Sequence, residues 1–161
     1  HAGRPRAAPA QPVLMRVVRL ASEIDFAGWR RAARALRLAG VAPDEVFWSA
    51  GGDELFDEAP VPPAGAPQFS VPPAFIELAE SVILHRSPDR FALLYRLLWR
   101  LADAPRLIEI ASDPDVAAAL DMRKTVSRAS HKMKAFVRFR LAEEEAQETY
   151  IAWFEPAHRV T

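Results

Sequence analysis

The chain has 161 residues, half of them hydrophobic, with 21 lysines plus arginines against 21 acids and no cysteine. That length suits one domain with a substantial core, and a net charge of zero excludes a protein that coats polyanions through its overall charge. The missing cysteine excludes a disulfide framework, thiolate catalysis and Cys-ligated zinc or iron–sulfur sites within these residues.

Charge is segregated along the sequence. Residues 1–40 carry eight arginines against Glu23 and Asp25, residues 41–60 carry six acids and no base, and residues 115–140 carry seven bases against Asp115 and Asp121. The opening "HAGRPRAAPAQP" lacks the apolar core of a signal peptide, and no apolar run approaches the ~20 residues of a membrane helix. A cytoplasmic protein is the expectation. Residues 1–14 read as a disordered tail, and residues 15–161 as a single α/β domain.

Arg16 to Leu20 is a short β-branched run. Asp25 is placed to cap a helix whose inner face is Phe26, Trp29, Ala33 and Leu36, with Gly40 and Pro43 ending it. Arg30, Arg34 and Arg37 fall on that helix's solvent side. Glu45 to Trp48 follows as a strand, which completes a βαβ unit. Residues 49–73 are rich in proline, glycine and acids and read as a long loop. Helices resume near Pro73, first with Phe75, Leu78, Ala79, Val82 and Ile83 inward. A second, capped by Ser87 and Pro88, holds Phe91, Leu94, Leu98 and Leu101. Arg106 to Ala111 is a short helical link.

Asp113 and Pro114 then start the longest predicted helix, because a carboxylate can accept from the unpaired first-turn N–H groups and proline has none to lose. Val116, Leu120, Met122, Val126, Ala129 and Met133 make its apolar stripe. Lys124, Arg128, His131 and Lys132 occupy another face, with Arg123 and Lys134 beside it. From Val137 the period becomes two, with Arg138 and Arg140 alternating against Val137, Phe139 and Leu141. A strand carrying Tyr150 and Trp153 pairs back across an acidic turn. The fold expected is α+β: one small mixed sheet from residues 16–20, 45–48, 135–141 and 149–154, covered by helices.

The candidate site is the basic platform of Arg123, Lys124, Arg128, His131, Lys132, Lys134, Arg138 and Arg140. A one-sided cationic stripe beside aromatic residues suits phosphate contact and base stacking, with His131 contributing when protonated. The plainer reading is that long charged side chains solvate the outside of an amphipathic helix. The acidic 44–58 segment could also pair with the platform in cis. His131, Glu155 and His158 could converge on a metal, but their spacing matches no ligand motif, and no metal is expected. Ser127 and Ser130 flank His131 without a nucleophile motif, and no catalytic residue is assigned. Trp29, Trp48 and Trp99 read as core.

At "HKMKAFVRFR" (His131 to Arg140) and "YIAWFEPAH" (Tyr150 to His158) the sequence resembles a bacterial domain of unknown function described as a DNA-metabolism module. The likeness extends upstream through "FAGWRRAARALRLAGVAPDEVFW" and "SVPPAFIELAESVILHRSPDRFALLYRLLWRL". That family occurs alone beside a radical-SAM partner protein, or fused N-terminally to a uracil-DNA glycosylase-superfamily domain of the UdgX type. The resemblance implies the N-terminal module of a longer protein. Any uracil chemistry, and any iron–sulfur cluster, would belong to the fused glycosylase domain, so no cofactor is expected in this chain. The function it implies is a non-catalytic DNA-associated accessory module. The alternative is a protein–protein docking module for a glycosylase domain or a radical-SAM partner.

Overall fold

The computed structural model describes residues 15–51, 69–136, 138–144 and 147–153. Its first unit is β1 (Arg16–Leu20), α1 (Phe26–Leu38) and β2 (Val46–Ala50), with β1 and β2 paired in parallel from Arg16↔Val46 to Leu20↔Ala50. Val18, Leu20, Val46 and Trp48 are buried on one face of this pair. Its other face leaves Val17 and Phe47 exposed and directly opposite each other.

Both ends of α1 are chemically fixed. Asp25 accepts from the Gly28 N–H at 2.8 Å, satisfying one of the orphan donors of the first turn. Gly28 is required there, since a Cβ would lie 2.0 Å from an Asp25 carboxylate oxygen. At the other end Gly40 takes φ 71°, Val41 N–H donates to Leu36 O at 3.0 Å and Gly40 N–H to Arg37 O at 3.2 Å. This paired closure satisfies the last carbonyls, and its left-handed residue suits glycine.

Helices α2 (Pro73–Val82) and α3 (Arg90–Leu101) carry the centre of the core. The expected inner face of α3 is a fraction of what it buries: Leu93, Tyr95 and Leu97 are inside as well as Phe91, Leu94, Leu98 and Leu101. The helix is covered on several sides, by α1, β2 and the next helix, α4 (Pro114–Phe136), so a one-stripe pattern understates it. Two polar tips are satisfied in this interior. Tyr95 Oη donates to Val41 O at 2.7 Å, and Trp29 Nε1 donates to Phe91 O at 3.3 Å. Burial also raises the Tyr95 phenol above its ordinary pKa.

Arg90, the first residue of α3, is 2 % exposed. Its Nε donates to Ile83 O at 2.9 Å, Nη1 to Ser87 O at 2.7 Å and Nη2 to Glu23 O at 2.7 Å. One guanidinium thus ties the end of α2, the α2–α3 turn and the loop before α1. Burial pushes its pKa down. The fixed fork of five N–H donors is what allows three carbonyls to be met at once.

Several expectations need correction. The four strands do not form one mixed sheet: β1 pairs with β2, while β3 (Arg138–Glu144) and β4 (Gln147–Trp153) form a separate antiparallel pair from Arg138↔Trp153 to Glu144↔Gln147. Strands adjacent in sequence satisfy each other through a short turn, and this pair needs no register with a distant parallel pair. Glu45 lies in a 3-10 turn, Pro43–Glu45, because its carboxylate folds back to accept from Ala42 N–H at 2.9 Å. The second strand therefore starts at Val46, and it runs to Ala50. Ser87 does not cap the first turn of α3 itself; its hydroxyl accepts at 3.3 Å from the N–H of Asp89, the residue just before the helix. Residues 1–14, most of the 49–73 loop, and Glu155 and His158 lie outside the described residues.

Candidate functional site

Helix α4 begins as its sequence requires. Asp113 accepts from Asp115 N–H at 3.0 Å and Val116 N–H at 3.2 Å, with Pro114 in the first position. Arg100 closes on the same carboxylate, and the Arg100 guanidinium, helped by those two amides, draws the Asp113 carboxyl down to about 2. Asp115 is held by Arg96 and Arg100, each at 3.0 Å. The acids at this end are therefore engaged with α3.

Further along α4 one stripe changes character. Val116 and Ala119 are fully buried against the core. The same angular position recurs every three or four residues and is taken next by Arg123, Ser127, Ser130 and Lys134. Val126 and Ala129, on the adjoining stripe, keep the later turns in contact with the rest of the fold. An apolar stripe thus becomes a polar, cationic one halfway along the helix.

That change builds a recess. Arg123, Lys124, Arg128, His131 and Lys134 line a hollow of 620 Å³ together with Ser127, Ser130 and Val126 of α4, and with Ser81 and Leu84 from the end of α2. Arg123, Lys124, Arg128, His131 and Lys134 are all exposed, so the structure brings five of the eight predicted site residues together. Lys132 is exposed but outside the hollow. Arg138 and Arg140 hold register positions opposite Trp153 and Ile151 in the hairpin. Among the described residues no carboxylate lines the recess. Among the described residues the ion pairs join Arg96, Arg100 and Arg106 to Asp113, Asp115 and Glu109, and none takes in Arg123, Lys124, Arg128, Lys132 or Lys134.

The cationic stripe expected on α1 has a different fate. Arg30 is exposed, but Arg37 is half-buried with its guanidinium 4.4 Å above the Trp99 ring, so it is packed rather than presented. The expectation of a solvent-side stripe through Arg37 is corrected by that contact. Trp29 and Trp48 are core and Trp99 is half-buried against them through Tyr95.

Sequence reading missed Arg90 and the two residues that α2 lends to the hollow. Ser81 and Leu84 carry no motif; only the packing of α2 against α4 brings them to the site. Among the described residues no group of three His, Cys, Asp or Glu side chains could hold a metal ion, and no helix is long and apolar enough to cross a membrane.

The fold defines an α+β domain with a cation-lined recess on its last helix. A family model described as a domain of unknown function, DUF4130, matches residues 88–161. The matched stretch takes in α3, α4 and the hairpin, hence the cationic wall of the recess, and leaves the βαβ unit and α2 outside. No curated protein and no solved structure matches the chain.

Proposed function

We propose that this chain is a non-catalytic DNA-associated module that contacts phosphates through the basic helix–strand platform of Arg123, Lys124, Arg128, His131, Lys132, Lys134, Arg138 and Arg140. The observation that carries the reading is the recess on α4, where five of these side chains gather with no carboxylate among the described lining residues. Cations left unpaired and pointed into one space are the electrostatic footprint of a polyanion partner. The resemblance at His131–Arg140 and Tyr150–His158 adds the setting: an accessory role beside a uracil-DNA-recognising domain of the UdgX type, in a bacterial DNA-repair or DNA-metabolism protein of the cytoplasm. In that setting catalysis, and any iron–sulfur cluster, sits on the other domain.

One observation favours a second reading. Val17 and Phe47 form an exposed apolar pair on the outer face of the β1–β2 sheet, with Met15 exposed beside them. Parallel strands are ordinarily covered on both faces, so this side suits a protein partner. That partner would be a glycosylase-superfamily domain in cis or a radical-SAM protein in trans.

Charge reversal separates the readings. Arg128→Glu with Lys132→Glu is expected to weaken DNA binding by about tenfold or more at low salt, because two phosphate contacts become repulsive. A protein complex formed through the β1–β2 face survives that change and is lost in Phe47→Asp. DNA binding unmoved by the double reversal sinks the platform reading.

A further inference from the structure

We infer that the recess selects single-stranded DNA over duplex, by admitting one unpaired nucleotide together with its phosphate. This rests on the phosphate-contacting reading above and adds the form of nucleic acid that the site takes. Arg123, Lys124, Arg128 and Lys134 line a hollow whose opposite wall is Ser81 of α2 and Leu84 just past its end. A duplex carries its phosphates on the outside of a rod that stays stiff over ~150 base pairs. It is read by elements that protrude into its grooves. Cations set around a recess are met most closely by a chain that can bend into it, which an unpaired strand does at each nucleotide.

The lining fits such an occupant. Leu84 and Val126 supply apolar surface for a sugar or base face, and Ser127 and Ser130 supply hydroxyls that can donate to or accept from base edges. Ser81 already donates to Glu77 O at 3.2 Å, which leaves its oxygen as an acceptor. At 620 Å³ the hollow has the size of a small-ligand site and is far too small for a double helix. Among the described residues no aromatic side chain lines it, so the described wall offers no stacking platform. Binding is then governed by charge and shape, with little dependence on base identity.

The test compares a short oligothymidylate with a blunt duplex of the same length, by fluorescence anisotropy of the 161-residue chain at one moderate salt concentration. A single-strand preference of about tenfold or more is expected. Duplex binding that equals or exceeds single-strand binding overturns the inference while leaving the platform reading standing. Absence of binding to either removes the platform reading itself. Ser127→Trp then fills the hollow without altering charge. It should lower oligothymidylate affinity about tenfold and leave duplex binding within about twofold. Unchanged oligothymidylate affinity in that variant, at an unchanged melting temperature, overturns the inference as well.

Discussion

Arg90 and Arg128 are the same residue in opposite circumstances. The guanidinium of Arg90 is sealed in the interior and spends its donors on the carbonyls of Ile83, Ser87 and Glu23. Arg128 is exposed, lines a hollow, and takes part in none of the ion pairs among the described residues. The first region uses a cation to close the fold on itself, where a donor without a partner is costly because water is absent. The second holds cations that the fold does not need. Arg123, Lys124, Arg128 and Lys134 gather around one hollow on α4, and the phosphate-contact proposal rests on that gathering.

The sharpest way to break this comparison is to remove each arginine and ask what is lost. Arg90→Ala takes the donor from the buried carbonyl of Ile83 and the partly buried ones of Ser87 and Glu23, and is expected to destabilise the chain by about 3 kcal/mol in urea unfolding. Arg90→Lys should recover only part, since a single ammonium cannot span the same three acceptors. A loss near zero would mean the interior arginine is as dispensable as the outer ones.

Gly28→Ala comes next. Its new Cβ collides with the Asp25 carboxylate, so the cap of α1 opens and about 1 kcal/mol is lost, read from the same unfolding curves. If Asp25→Ala and Gly28→Ala add fully, the two residues do not act as one cap.

The start of α4 supplies a pH signature. The folded carboxyl of Asp113 is drawn to about 2 by Arg100, below the ~3.9 of an unfolded aspartate. Its contribution is therefore complete above the unfolded value and disappears as pH falls from about 4 towards 2. In Asp113→Asn the urea midpoint should fall less steeply over that window, with the neutral-pH cap largely kept because asparagine also caps helices. An acid limb identical to that of the original chain would show that the Arg100 contact is not felt.

Arg128→Ala should have the smallest effect on stability, within about 0.5 kcal/mol, as expected of an exposed side chain with no partner. A larger loss would place Arg128 with Arg90, as part of the scaffold.

Much of the scaffold is legible in the sequence because its signals are local. Asp25, Gly40, Asp113 and Pro114 each do what their chemistry at a helix end requires, and Phe75, Leu78, Ala79, Val82 and Ile83 are buried at helical spacing. The platform is partly legible for the same reason, since Lys124, Arg128 and His131 share a face by periodicity alone. What periodicity cannot supply is the opposite wall. Ser81 and Leu84 reach the site only because α2 crosses α4, and the buried role of Arg90 depends on a carbonyl at Glu23, far away in sequence. The single-sheet expectation fails on similar grounds. Strand pattern fixes which residues are extended but not which strand each will pair with.

The central claim is that the cations of α4 meet phosphate. The most direct measurement is the slope of log K against log salt for oligothymidylate, in the original chain and in the fourfold variant Arg123→Ala, Lys124→Ala, Arg128→Ala, Lys134→Ala. Each contact to a single strand contributes about −0.7, so the account predicts a slope shallower by about 2 to 3 in the variant. Equal slopes in two equally folded chains would contradict it.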